Sequence, residues 1–170
     1  RIREERVFCE IHPPTRDLDW VRAWKPTGII LSGGPSSIYE EGAPDIPAEI
    51  LEKGIPVLGI CYGLQILATH NNGAVDSAAH REYGKARVLI NSDEDLLKGV
   101  PESSQAWMSH GDKVTGLPAG FRELAETDNT DYAAMFDDDD VGFTPQGKSE
   151  ILIVSAVETV LNRIIITFAN

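Results

Sequence analysis

The spacing of apolar and polar residues changes partway along this chain. In the first half, short continuous apolar runs alternate with amphipathic stretches. Gly28–Leu31 and Pro56–Ile60 are apolar and partly β-branched, the pattern of strands buried on both faces. Val7–Ile11 reads as another short strand. Leu18, Val21 and Trp24 fall on one face of a helix that Pro26 stops. Pro47–Lys53 reads as a short helix closed by Gly54. Gly63–Asn71 reads as a longer one, with Leu64, Leu67 and Ala68 on its apolar face and Asn72-Gly73 as its cap. Strand and helix in alternation predict a parallel sheet with helices on both faces. Ligands of such sheets sit beyond the carboxyl ends of the strands. The loops Ser32–Ser36 and Cys61–Gly63 leave two of those ends and should be neighbours.

In the second half the runs shorten and turn residues break them. Ala86–Asn91, Gln105–Ser109, Phe121–Thr127 and Tyr132–Phe136 read as strands. Ile151–Leu161 fits a helix and Ile164–Phe168 a strand. The expected architecture is α/β: an open, mainly parallel twisted sheet flanked by helices, with an additional antiparallel part. No repeat or linker divides the chain, so residues 1–170 are read as one domain.

Composition narrows the function. The 170 residues are 42% hydrophobic and 25% charged, an ordinary globular balance. The net charge of −12 repels phosphate backbones and argues against nucleic acid as a partner. No apolar run approaches the roughly 20 residues of a membrane helix. Arg1–Arg6 is charged with no apolar stretch after it, so no signal peptide and no membrane partner are expected. The run Asp137–Asp140 reads as an exposed turn; it lacks the ligand spacing of a metal site, and no metal is expected. Two cysteines, Cys9 and Cys61, are too few for a disulfide scaffold and read as reduced thiols in a cytoplasmic protein.

Cys61 stands apart because Gly59-Ile60-Cys61-Tyr62-Gly63 follows a buried strand and opens a helix. Gly-x-Cys-x-Gly in that setting is the cysteine form of a nucleophile elbow. A strained turn pushes the side chain into the cleft, and flanking glycines remove Cβ atoms that would clash. The helix N-terminus favours a thiolate, and the Tyr62 N–H would face an oxyanion. Ser32-Gly33-Gly34-Pro35, also after a buried strand, could bring further backbone N–H groups to the same place. Ser109-His110-Gly111-Asp112 ends a strand in polar residues, and Arg81-Glu82-Tyr83-Gly84 forms a charged run. Plainer readings stay open: a core cysteine, an ordinary turn, a structural histidine and a charged surface turn.

Several of these stretches together resemble the glutamine amidotransferase (class I) domain of GMP synthetases. They are Ile29–Tyr39, Pro56–Gln65, Arg81–Gly84, Trp107–Val114 and Thr144–Lys148, in matching order. The match is clear to about residue 136 and poor over 137–170. The resemblance implies that Cys61 attacks the carboxamide of L-glutamine and forms a thioester. It implies an oxyanion hole of Gly34 and Tyr62, and substrate contacts from Ser32, Gly33, Gln65, Ser109, His110 and Gly111. It implies no cofactor in this domain. The ammonia would pass to an ATP pyrophosphatase (synthetase) domain or subunit that uses ATP and Mg to aminate XMP. The Ser-Gly-Gly-Val-Asp-Ser signature of that domain is absent here.

The chain departs from the pattern in one place that matters. The resemblance implies a Phe-His-Pro-Glu run, carrying the base and its orienting carboxylate, shortly before Thr144. Here Val141-Gly142-Phe143 runs straight into Thr144-Pro145, and no histidine follows His110. His12, His70, His80 and His110 lie in other contexts. A segment missing between Asp137 and Thr144, a chain without a triad that binds a partner only, and a rearranged end are all compatible with this. An amidotransferase serving chorismate or carbamoyl phosphate chemistry is a further alternative, disfavoured by the Arg81–Gly84 and Trp107–Asp112 runs.

Overall fold

The computed structural model describes residues 2–14, 16–53, 55–92, 97–138 and 151–154. Among these residues seven strands make one sheet, in the order β1-β2-β7-β6-β5-β3-β4. β1 (Ile29–Leu31), β2 (Val57–Ile60) and β7 (Ile151–Val154) are parallel neighbours. β6 (Ala134–Asp137), β5 (Phe121–Thr127), β3 (Ala74–Ile90) and β4 (Ser103–Gly116) extend the sheet through antiparallel pairings. The α/β expectation with an added antiparallel part therefore holds, but among the described strands two pairings are parallel and four antiparallel, so the antiparallel part is larger than a mainly parallel sheet implies.

The two α-helices among the described residues follow their sequence signals. In α1 (Leu18–Trp24) the Asp17 carboxylate accepts from the Trp20 N–H at 2.7 Å, a side-chain N-cap. Lys25 at φ 53° turns the chain out just before Pro26. α2 (Tyr62–His70) ends with Asn72 in the left-handed region at φ 64°. Asn72 N–H donates to Thr69 O at 3.1 Å and Gly73 N–H to Ala68 O at 2.8 Å, the paired bonds of a Schellman stop.

β2 is buried on both faces, as its unbroken apolar run predicts. Val57 packs with Leu64, Leu67 and Ala68 of α2 on one side. Leu58 packs with Val88, Met108, Leu124 and Phe136 on the other. These two apolar layers clamp the strand that leads into Cys61.

Several expectations need correction. Val7–Ile11 forms no strand: Phe8 and Ile11 are 76% and 88% exposed, and an apolar run without a neighbouring ladder has nothing to pair with. Ala48–Lys53 is a 3-10 rather than an α-helix. Ala86–Asn91 and Gln105–Ser109 cover only portions of a long pair that runs from Ala74 opposite Gly116 to Leu89 opposite Ser103. A register shift between Ser77 and Glu82 lets the polar stretch stay in the strand, so Arg81–Gly84 belongs to β3 and is not a turn. Ser109–Asp112 lies inside β4 instead of ending it. Ile151–Val154 is a strand between β2 and β6, where a β-branched apolar segment fits a slot bounded on both edges. The rest of the expected helix and Ile164–Phe168 lie outside the described residues. Asp137 ends β6, and Asp138 receives the Arg122 guanidinium at 2.7 Å, so these two are held instead of forming a free turn.

Candidate active site

β1 and β2 lie side by side in parallel, with Leu31 opposite Gly59. Their carboxyl ends therefore release the glycine loop and the cysteine turn next to each other. Cys61 precedes α2 directly and sits at φ 51°, ψ −106°. A non-glycine residue with positive φ is strained, and neighbours must hold it there. The two flanking glycines show how. A Cβ on Gly63 would overlap the Leu31 carbonyl oxygen and lie 2.8 Å from Leu31 C. A Cβ on Gly59 would lie 2.7 Å from the backbone of Gly63 and from Leu67 Cδ1. Strand, turn and helix approach so closely that only hydrogen fits at either position.

The loop after β1 touches the thiol. A Cβ built on Gly33 would stand 3.2 Å from Cys61 Cβ and 3.7 Å from Sγ. Beside Gly34 there is open space, and Ser32, Gly33 and Gly34 are exposed. Cys61 itself is 6% exposed and in no disulfide. Burial pushes its thiol above the ordinary range, because the thiolate loses water. The helix N-terminus expected to favour the thiolate is thus opposed by desolvation, and ionisation here calls for a base. The first N–H groups of α2, starting with Tyr62, have no acceptor within the helix.

β4 completes the arrangement from the other side. Ala106, Met108, His110, Asp112 and Val114 are all buried, while Gln105 and Trp107 on the alternate positions are exposed. This period-two pattern turns His110 and Asp112 toward the interior. Gln65, one turn into α2 and 4% exposed, donates Nε2–H to Asp112 O at 2.9 Å. Gln65 Oε1 and Asp112 Oδ2 are buried and meet no hydrogen-bond partner among the described residues. Asp112 also lies close enough to Tyr62 to help raise its phenol, after desolvation, Asp45 and Glu40.

The structure sets Gly33 against Cys61 and Gln65 against Asp112; Ser32 and Gly34 flank Gly33 in the same loop, Tyr62 follows Cys61, and Ser109–Gly111 precede Asp112 along β4. Asp112 belongs with them, although the sequence marks it only as the end of the Ser109–Asp112 run and not as a site residue. The signal was available: His110 and Asp112 occupy inward positions of an otherwise apolar alternation. The junction Val141–Thr144 lies outside the described residues. Among the described residues no group of three or more His, Cys, Asp and Glu side chains is placed to hold a metal ion, and no helix is long and apolar enough to cross a membrane.

A strained cysteine between a parallel strand and a helix, faced by a glycine loop, defines an α/β protein of the cysteine-elbow class. The chain belongs to the class I glutamine amidotransferase family, whose family model matches residues 1–146. It is 49% identical over 135 residues to the GMP synthase [glutamine-hydrolyzing] of Brachyspira hyodysenteriae, a match covering 79% of this chain and 26% of that protein. It is 41% identical over 173 residues to the GMP synthase [glutamine-hydrolyzing] of Methylobacillus flagellatus, covering 97% of this chain and 33% of that protein. The chain therefore spans about a quarter to a third of these relatives. A solved glutamine amidotransferase from Thermotoga maritima shares the fold, with a TM-score of 0.64 at 23% identity over 84% of this chain and 58% of that one.

Proposed function

We propose that this chain is the glutaminase part of a GMP synthase: it hydrolyses L-glutamine and delivers the ammonia for ATP-dependent amination of XMP. The observation that carries the reading is the backbone of Cys61, held at positive φ between two glycines that nothing larger can replace. Strain of this kind needs a use, and attack on a carbonyl from an elbow is the use that fits.

In this reading Cys61 Sγ attacks the carboxamide carbon of glutamine. The carbonyl oxygen takes up negative charge, which the backbone N–H groups of Gly34 and Tyr62 stabilise. Collapse of the tetrahedral adduct breaks the C–N bond, and the nitrogen leaves as ammonia after taking a proton. Water then attacks the thioester, releasing glutamate and restoring the thiol. Ser32, Gly33, Ser109, His110 and Gly111 line the substrate's path. The carboxylate of Asp112 takes the α-ammonium of glutamine, and Gln65 holds Asp112 in place. A buried carboxylate oxygen with no partner among the described residues supports that assignment.

The rest of the reaction belongs to an ATP pyrophosphatase domain or subunit, where ATP and Mg would bind; the unmatched length of the relatives supports such a part. A reduced nucleophilic thiol suits the cytoplasm. Residues 1–170 act as one amidotransferase domain. A second reading has its own observation: burial raises the Cys61 thiol, and no histidine follows His110. A chain without a base would bind glutamine or its partner without turnover. Glutamate release from the chain with its synthetase partner decides the matter. Wild type should release glutamate, and Cys61→Ala should slow release by at least about a thousandfold while staying folded. Equal release from both proteins sinks the enzyme reading, and none from either favours the binding module.

A further inference from the structure

The segment from Ser36 to Ile46 connects the glycine loop to the rest of the chain, and it lies along α2 like a strap. Four contacts fasten it. Ile38 packs against the apolar layer that contains Leu64 and Leu67 of α2. The Tyr39 hydroxyl donates to Val75 O at the start of β3. The Tyr62 hydroxyl donates to Pro44 O at 2.7 Å. Near the far end of α2, His70 Nε2 meets Asp45 Oδ1 at 2.8 Å. Within the strap, Ser37 O accepts from Glu40 N–H and Glu40 O from Ala43 N–H, both at 3.1 Å, so it is folded into turns of its own.

Tyr62 is placed unusually among these fasteners. It follows Cys61, and its ring is 6% exposed although its hydroxyl reaches 18 residues back to Pro44. Its backbone N–H opens α2 at the elbow, and its side chain grips the segment that continues from Gly34. The two backbone groups assigned to the oxyanion therefore stand at opposite ends of one short connection, through the Tyr62 ring and the strap.

We propose that the Tyr62 phenol is a positioning residue: by holding Pro44 it fixes the strap and thereby the distance between the Gly34 and Tyr62 N–H groups. The Tyr39–Val75 and His70–Asp45 contacts hold the same strap at other points. The proposal rests on the glutaminase reading above. The function of the strap is to keep the hole at the width of a tetrahedral oxyanion, so its loss is felt in the transition state more than in the bound substrate.

Tyr62→Phe tests this, because it keeps the buried ring and removes only the donor. Glutamate release should show kcat lowered about tenfold with KM for glutamine within about twofold. Amide hydrogen exchange, read by mass spectrometry on the chain with its synthetase partner, should speed up across 33–46 and stay unchanged in β3 and β4. Tyr39→Phe, on the exposed side of the strap, should move both readings in the same direction by less, and it carries the test if Tyr62→Phe does not fold. Wild-type turnover together with unchanged kcat and unchanged exchange in the variants overturns the proposal and leaves the glutaminase reading standing. A wild-type chain that releases no glutamate overturns both.

Discussion

The corner built from β1, β2 and α2 and the long β3–β4 pair hold the same cleft by opposite means. In the corner, backbones touch. Gly63 lies against the Leu31 carbonyl and Gly59 against Gly63, and Cys61 is forced into a strained conformation between them. The β3–β4 pair is a long ladder with register shifts at Ala74/Val75 and Ser77/Glu82, and there the tension is in polarity. His110 and Asp112 occupy inward positions that Ala106, Met108 and Val114 fill with hydrocarbon elsewhere along the strand. Steric closeness fixes where a nucleophile can be; a buried polar group with spare bonding capacity fixes what can lie beside it. The corner should fail by unfolding when altered, and the pair should fail by losing affinity.

The largest effect should come from Gly63→Ala. Its methyl group would meet the carbonyl and the Cβ of Leu31, and Leu31 is part of a strand that cannot withdraw without breaking its pairing with Gly59. A loss of about 3 kcal/mol or more is expected in urea unfolding, in the range of severe overpacking. Gly34→Ala is the internal control. Nothing lies within 4 Å of its Cβ position, so stability should change by less than about 0.5 kcal/mol. Equal effects at the two glycines would erase the distinction between a packed elbow and an open loop.

On the β4 side, Asp112→Asn should leave stability nearly unchanged or raise it, since a buried carboxylate loses its charge at constant shape. KM for glutamine should rise about 10- to 100-fold, the worth of one charge-assisted hydrogen bond, with a smaller change in kcat. Steady-state kinetics beside a urea melt reads both. A variant that unfolds easily and binds glutamine normally would mean that Asp112 is structural.

The corner was legible in the sequence and the pair largely was not, for a physical reason. Gly-x-Cys-x-Gly, Ser32-Gly33-Gly34-Pro35 and the Asn72-Gly73 stop are local devices: each turn declares itself within a few residues. β3 and β4 are held by partners well outside any local turn, from Leu89 opposite Ser103 to Ala74 opposite Gly116, and their polar stretches mask the alternation that a strand should show. Arg81–Gly84 reads as a turn until Glu82 is found opposite His110. Asp112 reads only as the end of the Ser109–Asp112 run, with no role of its own, because its significance depends on burial, which only the partner strand and α2 create. Val7–Ile11 errs the other way: its composition suits a strand, but Phe8 and Ile11 face outward. Ile151–Val154 reads as the start of a helix because a short apolar run carries no period of its own; the place between β2 and β6 makes it a strand.

The smallest effect, and the finest probe of the corner, is the pH dependence that Cys61 gives to stability. Burial raises the thiol in the folded chain above its value in the unfolded chain. Between those two values the folded state holds more protons than the unfolded state, so stability falls as pH rises. The contribution is fully present below the ordinary thiol range and is lost as pH climbs through the raised folded value. Tyr62, whose phenol is also raised, adds a loss of the same sign at higher pH, so the wild-type curve alone would mix the two. Cys61→Ala removes the thiol and keeps the phenol. The difference between the two proteins in urea unfolding should therefore be flat near neutrality and shift steadily against the wild type as the solution becomes alkaline. Alkylation of Cys61 by iodoacetamide in the folded wild type should rise over that same alkaline range, later than for a thiol in water. A difference curve that moves the other way would show a thiolate already stabilised at the helix N-terminus. The elbow would then need no base, and the sharp division of labour between corner and strand pair would dissolve.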